Sequence, residues 1–375
     1  MLKSIIKIFL KYFQIFLSII AYKLTSHKKK YIVIGVHEVA NILFNLKLIF
    51  NDDCIVVCDN KNRFYKNNYY DFDISGKFFS RKYLFSALLF GSLAKNASFF
   101  IYLWNNGFLL ERESEFKFLR SHNISIICSF LGSDIRSNRL LLNYCKSINF
   151  NTYIDYYMPE NILSDEQDNI CRKLAKQADT YANIIFSSPI DQMSYLKSKQ
   201  HFFPVIIDES IFSLNYDKFN IVPIKIIHAP SLPILKGTPL VRTVIKMLKN
   251  EGYKFHYIEL INISHEDVIK ELQQSHIVLN QFYHFVPGVL GHEAMATGNA
   301  VLMSAKSSCQ PFIFNNAWFE TEDWQLYYHL KFLLDNPKKI IEYAKNGYEY
   351  MVNNFSKENI KKYLFNIFKE NNVTL

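Results

Sequence analysis

Short apolar runs bounded by polar or turn-forming residues recur along the chain and alternate with stretches of helical periodicity. In the first half, the runs at 31–35, 54–58, 99–103, 124–130 and 183–187 predict buried strands. Between the first two, Val39, Leu43, Leu46 and Ile49 recur at helical spacing. A helical stretch closes at 175–179, and the pair Ser188 and Pro189 opens another that is predicted to end near Lys199. Residues 65–82, rich in Asn, Tyr and Asp, are expected to form a loop region. The pattern restarts with strands predicted at 224–228, 255–260 and 277–280 and helices at 239–250 and 266–275. A last helix is expected over 355–369, with Ser356 as its N-cap.

Strands alternating with helices in this way predict parallel α/β sheets, and the restart near 224 predicts two such units. The expected organisation is an N-terminal helix (1–27), a first Rossmann-like domain (28–208), a linker (209–223), a second Rossmann-like domain (224–354) and a C-terminal helix (355–375). A length of 375 residues accommodates two domains.

The first 27 residues form an amphipathic pattern. On a helix, Lys3, Lys7, Lys11, Gln14 and Ser18 share one narrow arc, Ile, Leu and Phe fill the rest, and a basic cluster from His27 to Lys30 follows. Lys7 and Lys11 interrupt any spanning or signal-peptide segment. Two readings fit: a helix lying on a membrane surface, or a first helix packed on its own protein with its lysines in water.

Charge and composition narrow the function. Lys plus Arg total 43 against 34 Asp plus Glu, a formal net charge of +9 that favours anionic partners. The charge is spread out, without the basic and aromatic stripe of a nucleic-acid binder, so no nucleic-acid partner is expected. The six cysteines form no CxxC pair or zinc-like cluster, so neither a disulfide framework nor a metal is expected, and a reducing cytoplasmic setting fits. After the first strand only Gly35 is present where a dinucleotide fingerprint needs three glycines, and there is no Walker loop, G-x-S-x-G elbow or H-E-x-x-H.

The candidate chemistry lies in the second half. Residues 228–238 place Lys236 beside Gly237, and residues 287–298 place a glycine-bearing turn at Gly288 ahead of a helix. Each follows a predicted strand, at the sheet edge where open α/β folds bind ligands. A lysine and free helix-start amides suit a diphosphate, and a carboxylate such as Glu293 suits a ribose diol.

Residues 224–303 resemble the C-terminal domain of GT-B glycosyltransferases of the family 4 type, particularly bacterial enzymes of surface-polysaccharide synthesis, most specifically over 288–301. The resemblance continues more faintly at 124–136, 178–191 and 333–356. It implies two Rossmann-like α/β domains facing across a cleft and a sugar transferred with retention from a nucleotide-diphospho-sugar to a glycan or lipid-linked acceptor, without metal or other cofactor. It makes Lys236 the diphosphate contact, Gly288, Val289 and Leu290 the amide donors, and Glu293 the ribose ligand. Phe285 stands where the family's first E-x7-E glutamate would contact the sugar, which turns attention to Tyr283 and His284 as substitutes. On the acceptor side the resemblance nominates His37 and Asp134 for catalysis and Arg136 for a sugar or acceptor contact, beside structural readings as exposed or capping residues. His228 and His292 are expected to be structural.

The expected setting is the inner face of a bacterial membrane, with the N-terminal helix in peripheral contact with anionic lipid and the product a capsule or lipopolysaccharide glycan. A non-catalytic GT-B partner or glycan-binding protein and a GT-B sugar-nucleotide epimerase are the alternatives.

Overall fold

A computed structural model of the protein describes residues 2–60, 70–76, 80–157, 162–312 and 316–374. The chain runs α1 (Leu2–Leu24), β1 (Tyr31–Val36), α2 (Ile42–Phe50), β2 (Cys54–Cys58), β3 (Phe72–Asp73), α3 (Ser86–Asn96), β4 (Ala97–Leu103), α4 (Arg112–Ser121) and β5 (Ser125–Ser129). Next come α5 (Asn138–Ser147), α6 (Tyr153–Tyr156), α7 (Asp165–Tyr181), β6 (Ile184–Phe186), α8 (Pro189–Gln192) and β7 (Gln200–His201). The second half holds β8 (Ile224–His228), α9 (Pro233–Lys236), α10 (Thr238–Asn250), β9 (Phe255–Glu259), α11 (His265–Gln273), β10 (Ile277–Leu279) and α12 (Gly288–Ala296). It ends with β11 (Ala300–Met303), β12 (Phe319–Glu320), α13 (Leu326–Asp335), α14 (Pro337–Phe355) and α15 (Lys357–Glu370).

Two compact units result: residues 1–137, 168–203 and 361–375 form the first, and 138–167 with 204–360 the second. The first is built on a parallel sheet of order β3-β2-β1-β4-β5-β6-β7, with Val33 of β1 opposite Ile55 of β2 and Phe100 of β4. Ile32, Val33 and Ile34 are wholly buried, as a central parallel strand covered on both faces requires. On one face, Phe90, Phe100, Phe108 and Phe116 pack with Tyr102. On the other, Phe368 of α15 lies against Phe50 and Phe99. The order reverses between β1 and β4, so the loops after these strands flank a topological switch point, where such sheets bind ligands.

The second unit has a parallel sheet of order β12-β11-β10-β8-β9, with its switch point between β8 and β10. Its core joins Ile226, Ile277, Leu279 and Leu302 to Val241, Ile245 and Leu248 of α10 and to Leu326 and Leu330 of α13. Here Ser356 accepts a hydrogen bond from the Asn359 amide at 3.3 Å, opening α15.

Three expectations change. The helix predicted from Ser188 to near Lys199 stops at Gln192, because Tyr195 swings out to donate to Asp168 at 2.7 Å and the amides of Lys197 and Ser198 turn onto the Asp179 carboxylate. Within the expected loop at 65–82, Phe72–Asp73 pairs with β2, while 65–69 and 77–79 lie outside the described residues. The third concerns α1. Its arc of Gln14 and Ser18 faces inward, not into water: Gln14 donates to the Tyr83 carbonyl at 3.2 Å and Ser18 to the Ala87 carbonyl at 3.0 Å. Lys11 pairs with Glu111, and the Lys3 side chain lies outside the described residues. Gly91 of α3 lets the two helices touch, since a Cβ there would stand 2.1 Å from the Ser18 carbonyl oxygen.

Candidate functional site

In the second unit the loops after β8 and β10 lie side by side at the switch point. Gly237 begins α10 immediately after Lys236, and a Cβ on it would come 3.3 Å from the Tyr283 ring. The Lys236 ammonium donates to the side-chain oxygen of Gln281, and the Gln281 amide nitrogen donates to the Val286 carbonyl. Gln281 thus ties the lysine to the turn that launches α12. Asn280 braces that turn by donating to the Pro287 carbonyl at 2.6 Å.

Gly288 opens α12 with φ +67°, a left-handed conformation that glycine adopts without strain. Pro287, the N-cap, offers no side-chain cap, and among the described residues no carboxylate lies on the first-turn amides of Gly288, Val289 and Leu290, which present their positive dipole end. One and a half turns on, Glu293 is buried and its Oε1 lies 2.7 Å from Nε2 of His265, the first residue of α11. The structure therefore brings Lys236 and the start of α12 together through Gln281, and sets Glu293 further along the same helix beside His265.

Phe285 is buried in an aromatic cluster, stacked on Phe150 at 4.4 Å with Tyr144 at its edge. Its neighbours are drawn the same way: His284 stacks on Tyr153 and Tyr283 tilts against Tyr156. The segment 138–167 that supplies these rings belongs to the second unit. Burial raises the Tyr283 hydroxyl above its usual range, so it stays protonated.

His228 is fully buried, its two ring nitrogens engaged by the Leu279 carbonyl and the Thr238 hydroxyl, and desolvation pulls its pKa down to about 4. His292 is likewise buried against Phe355, with Nδ1 on the Gly288 carbonyl and its pKa down to about 4. Both rings are neutral and structural.

At the switch point of the first unit, His37 follows β1. Its Nδ1 lies 2.9 Å from Asp59 Oδ1, just beyond β2, and Asn106, beyond β4, donates to Asp59 Oδ2 at 2.6 Å. Trp104 stacks on the imidazole at 5.9 Å. The same Nδ1 lies 3.0 Å from the Asn106 amide nitrogen, so it faces both an acceptor and a donor; in the tautomer with the proton on Nδ1, Nε2 is left as an acceptor, the arrangement a general base needs. Asp134 is buried, its carboxylate folded back onto the amides of Leu131 and Gly132, and desolvation pushes its pKa up to about 6. Arg136 is buried in an ion pair with Asp191 at 2.5 Å and also donates to the Asp191 carbonyl. Asp134 is thus bound into its own loop and Arg136 to Asp191 of α8, whereas His37 is gathered with Asp59 and Asn106.

The start of α2, which follows β1, is blocked. Glu38 turns its carboxylate onto the amides of Leu43 and Phe44, each at 3.3 Å, and accepts from Tyr70 at 2.8 Å. Burial raises its pKa to about 7. The two helix starts beside the switch points therefore differ: a protein carboxylate occupies the first unit's, and no side chain caps the second's.

His265, Asp59 and Asn106, and the tie that Gln281 makes to Lys236, escape sequence reading, because each contact forms only when strand order brings distant loops together. Among the described residues, no group of three or more His, Cys, Asp or Glu side chains is placed to hold a metal ion.

Two doubly wound units of this kind define the GT-B fold, and solved structures of that fold match nearly the whole chain. HepE of Anabaena, crystallised with UDP and glucose, matches with a TM-score of 0.60 and 10% identity over 92% of this chain and 100% of its own. Sucrose-phosphate synthase from Thermosynechococcus elongatus matches with a TM-score of 0.57 and 12% identity over 92% and 99%. An alpha-glucosyltransferase solved with UDP-glucose and DNA containing an abasic site matches with a TM-score of 0.54 and 11% identity, over 92% and 100%. No protein-family model matches the chain, and no curated protein matches it in sequence.

Proposed function

We propose that the protein is a glycosyltransferase that takes a sugar from a nucleotide-diphospho-sugar and passes it to a hydroxyl of a glycan or lipid-linked acceptor, in the assembly of a capsule or other surface polysaccharide. The single observation that carries this reading is the uncapped start of α12 beside Lys236, in a chain whose other switch-point helix is closed by Glu38. A diphosphate needs fixed amides and one positive charge, and this corner of the second unit supplies both. The bound UDP and UDP-glucose of the matched structures accord with such a donor.

In the proposed reaction the bond between the sugar's anomeric carbon and the diphosphate oxygen breaks. The acceptor oxygen forms the new bond and gives up its proton. Negative charge grows on the departing diphosphate, where Lys236 and the amides of Gly288, Val289 and Leu290 meet it, while Glu293 takes the ribose hydroxyls. Retention of configuration and independence from metal follow the family resemblance. A second reading is favoured by the His37 and Asp59 pair: single displacement with inversion, in which Nε2 of His37 takes the acceptor proton. NMR of the anomeric product decides between the two.

A thermal-shift screen against UDP, GDP, ADP, CMP and their sugars tests the donor site. One nucleotide is expected to raise Tm by several degrees, and Lys236→Ala and Glu293→Ala are each expected to abolish the rise. Stabilisation by none of them would overturn the reading.

A further inference from the structure

The first helix turns large apolar side chains outward. Where it crosses α3 its stripe is Gln14, Ser18 and Ala21, continued by Thr25 just beyond it, small or polar residues at helical spacing that meet Ala87, Gly91 and Ser92, and Ile15, Leu17 and Tyr22 flank the stripe against the apolar core. Its outward face carries Ile8, Phe9, Tyr12, Phe16 and Ile19, with Phe9 66% and Tyr12 67% exposed. Water-soluble proteins place such side chains in the core and their polar stripe outside. Helices that pack in lipid do the reverse, meeting through small residues and hydroxyl-to-carbonyl hydrogen bonds while large apolar side chains face outward.

We infer that the outward face of α1 is a docking surface for an anionic lipid bilayer, on which the helix lies in the plane of the interface with Phe9, Tyr12 and Phe16 sunk into the acyl boundary. Charge selects this occupant. The helix has no acidic residue, Lys23 is exposed on its outward side, and Lys28 and Lys30 are exposed just beyond it. A second copy would bring the same cations together. An anionic headgroup layer neutralises them while the acyl region takes the rings. No helix among the described residues is long and apolar enough to cross a membrane, so the surface binds by lying flat. The inference stands on α1 alone, whether or not the chain transfers a sugar.

The test uses the full chain and vesicles of phosphatidylcholine with or without one quarter phosphatidylglycerol. The wild type is expected to sediment with the anionic vesicles, and Phe9→Asp with Phe16→Asp to lower its partition coefficient by roughly tenfold or more with Tm unchanged. Lys23→Gln with Lys28→Gln is expected to weaken binding several-fold on anionic vesicles only. Val222→Asp, at an exposed apolar position in the second unit, is expected to bind as the wild type does. A Tyr12→Trp variant supplies a positive signal: bromine on the upper acyl chain is expected to quench its added fluorescence. The inference is overturned if the wild type ignores anionic vesicles, if the double aspartate variant binds undiminished, or if light scattering shows a dimer that the aspartates dissolve in place of lipid binding.

Discussion

Single residues set the chemistry through partners that lie far away in sequence. His37 meets its partners only because the chain just beyond β2 delivers Asp59 to its Nδ1 and the loop after β4 delivers Asn106 to Asp59. Under inversion, Asp59→Asn is expected to lower kcat by ~10²- to 10³-fold, with nucleotide stabilisation of the fold unchanged, because the asparagine no longer holds the proton on Nδ1. Stopped assays of sugar release beside thermal shifts separate the two effects. His265→Ala probes the other unit: Glu293 loses the contact to Oε1, and nucleotide affinity is expected to change while kcat at saturating donor does not. The local settings of Lys236, Gly288 and Glu293 are legible in the sequence because a strand end, a glycine turn and a helix start are local features. The contacts of Gln281 and His265 are not, since they depend on two loops being neighbours in space.

At the scale of elements, the central strands are legible because continuous apolar runs bury on both faces, and β1 and β2 fall where those runs predict them. The two-residue strands β3, β7 and β12 leave no periodicity to read. The orientation of α1 defeats hydropathy for a different reason. Where it crosses α3 its seam is held by carbonyl hydrogen bonds and close backbone approach, which carry no apolar weight, while Ile15, Leu17 and Tyr22 pack only at the flanks. This makes Gly91 decisive. In most helices Gly→Ala stabilises by up to about 1 kcal/mol, yet Gly91→Ala is expected to destabilise by about 1–3 kcal/mol, because the new methyl must push Ser18 aside. A fall in Tm of several degrees checks the sign.

Across the whole molecule, buried ionisable groups shape the response to pH. Glu115 is fully buried, accepting from Tyr102 at 2.9 Å and the Leu109 amide at 2.6 Å, and desolvation raises its pKa to about 7, as it does for Glu38. A carboxyl raised in the folded state contributes stability that is present below its unfolded pKa near 4.5 and lost as pH climbs through 7. Lys218, its amine lowered by burial to about 7 and donating to the Thr297 carbonyl, loses its contribution in the opposite direction, as pH falls from 10.5 toward 7. Glu115→Gln keeps its oxygen on the Leu109 amide and turns its NH2 to donate to the Tyr102 hydroxyl, without the titration, so its stability advantage over the wild type is expected to grow between pH 5 and pH 8, by about 2–3 kcal/mol. Melting curves across that range check it. The inward seam of α1 also decides how its outer face can be studied. Cutting the chain after residue 27 would strip the donors from the Tyr83 and Ala87 carbonyls and lay bare the packing surface around Gly91, so a truncated form that fails to reach a vesicle would report damage to the first unit as readily as a lost foothold on lipid. Only side chains that point away from the seam can be altered to ask what the helix touches.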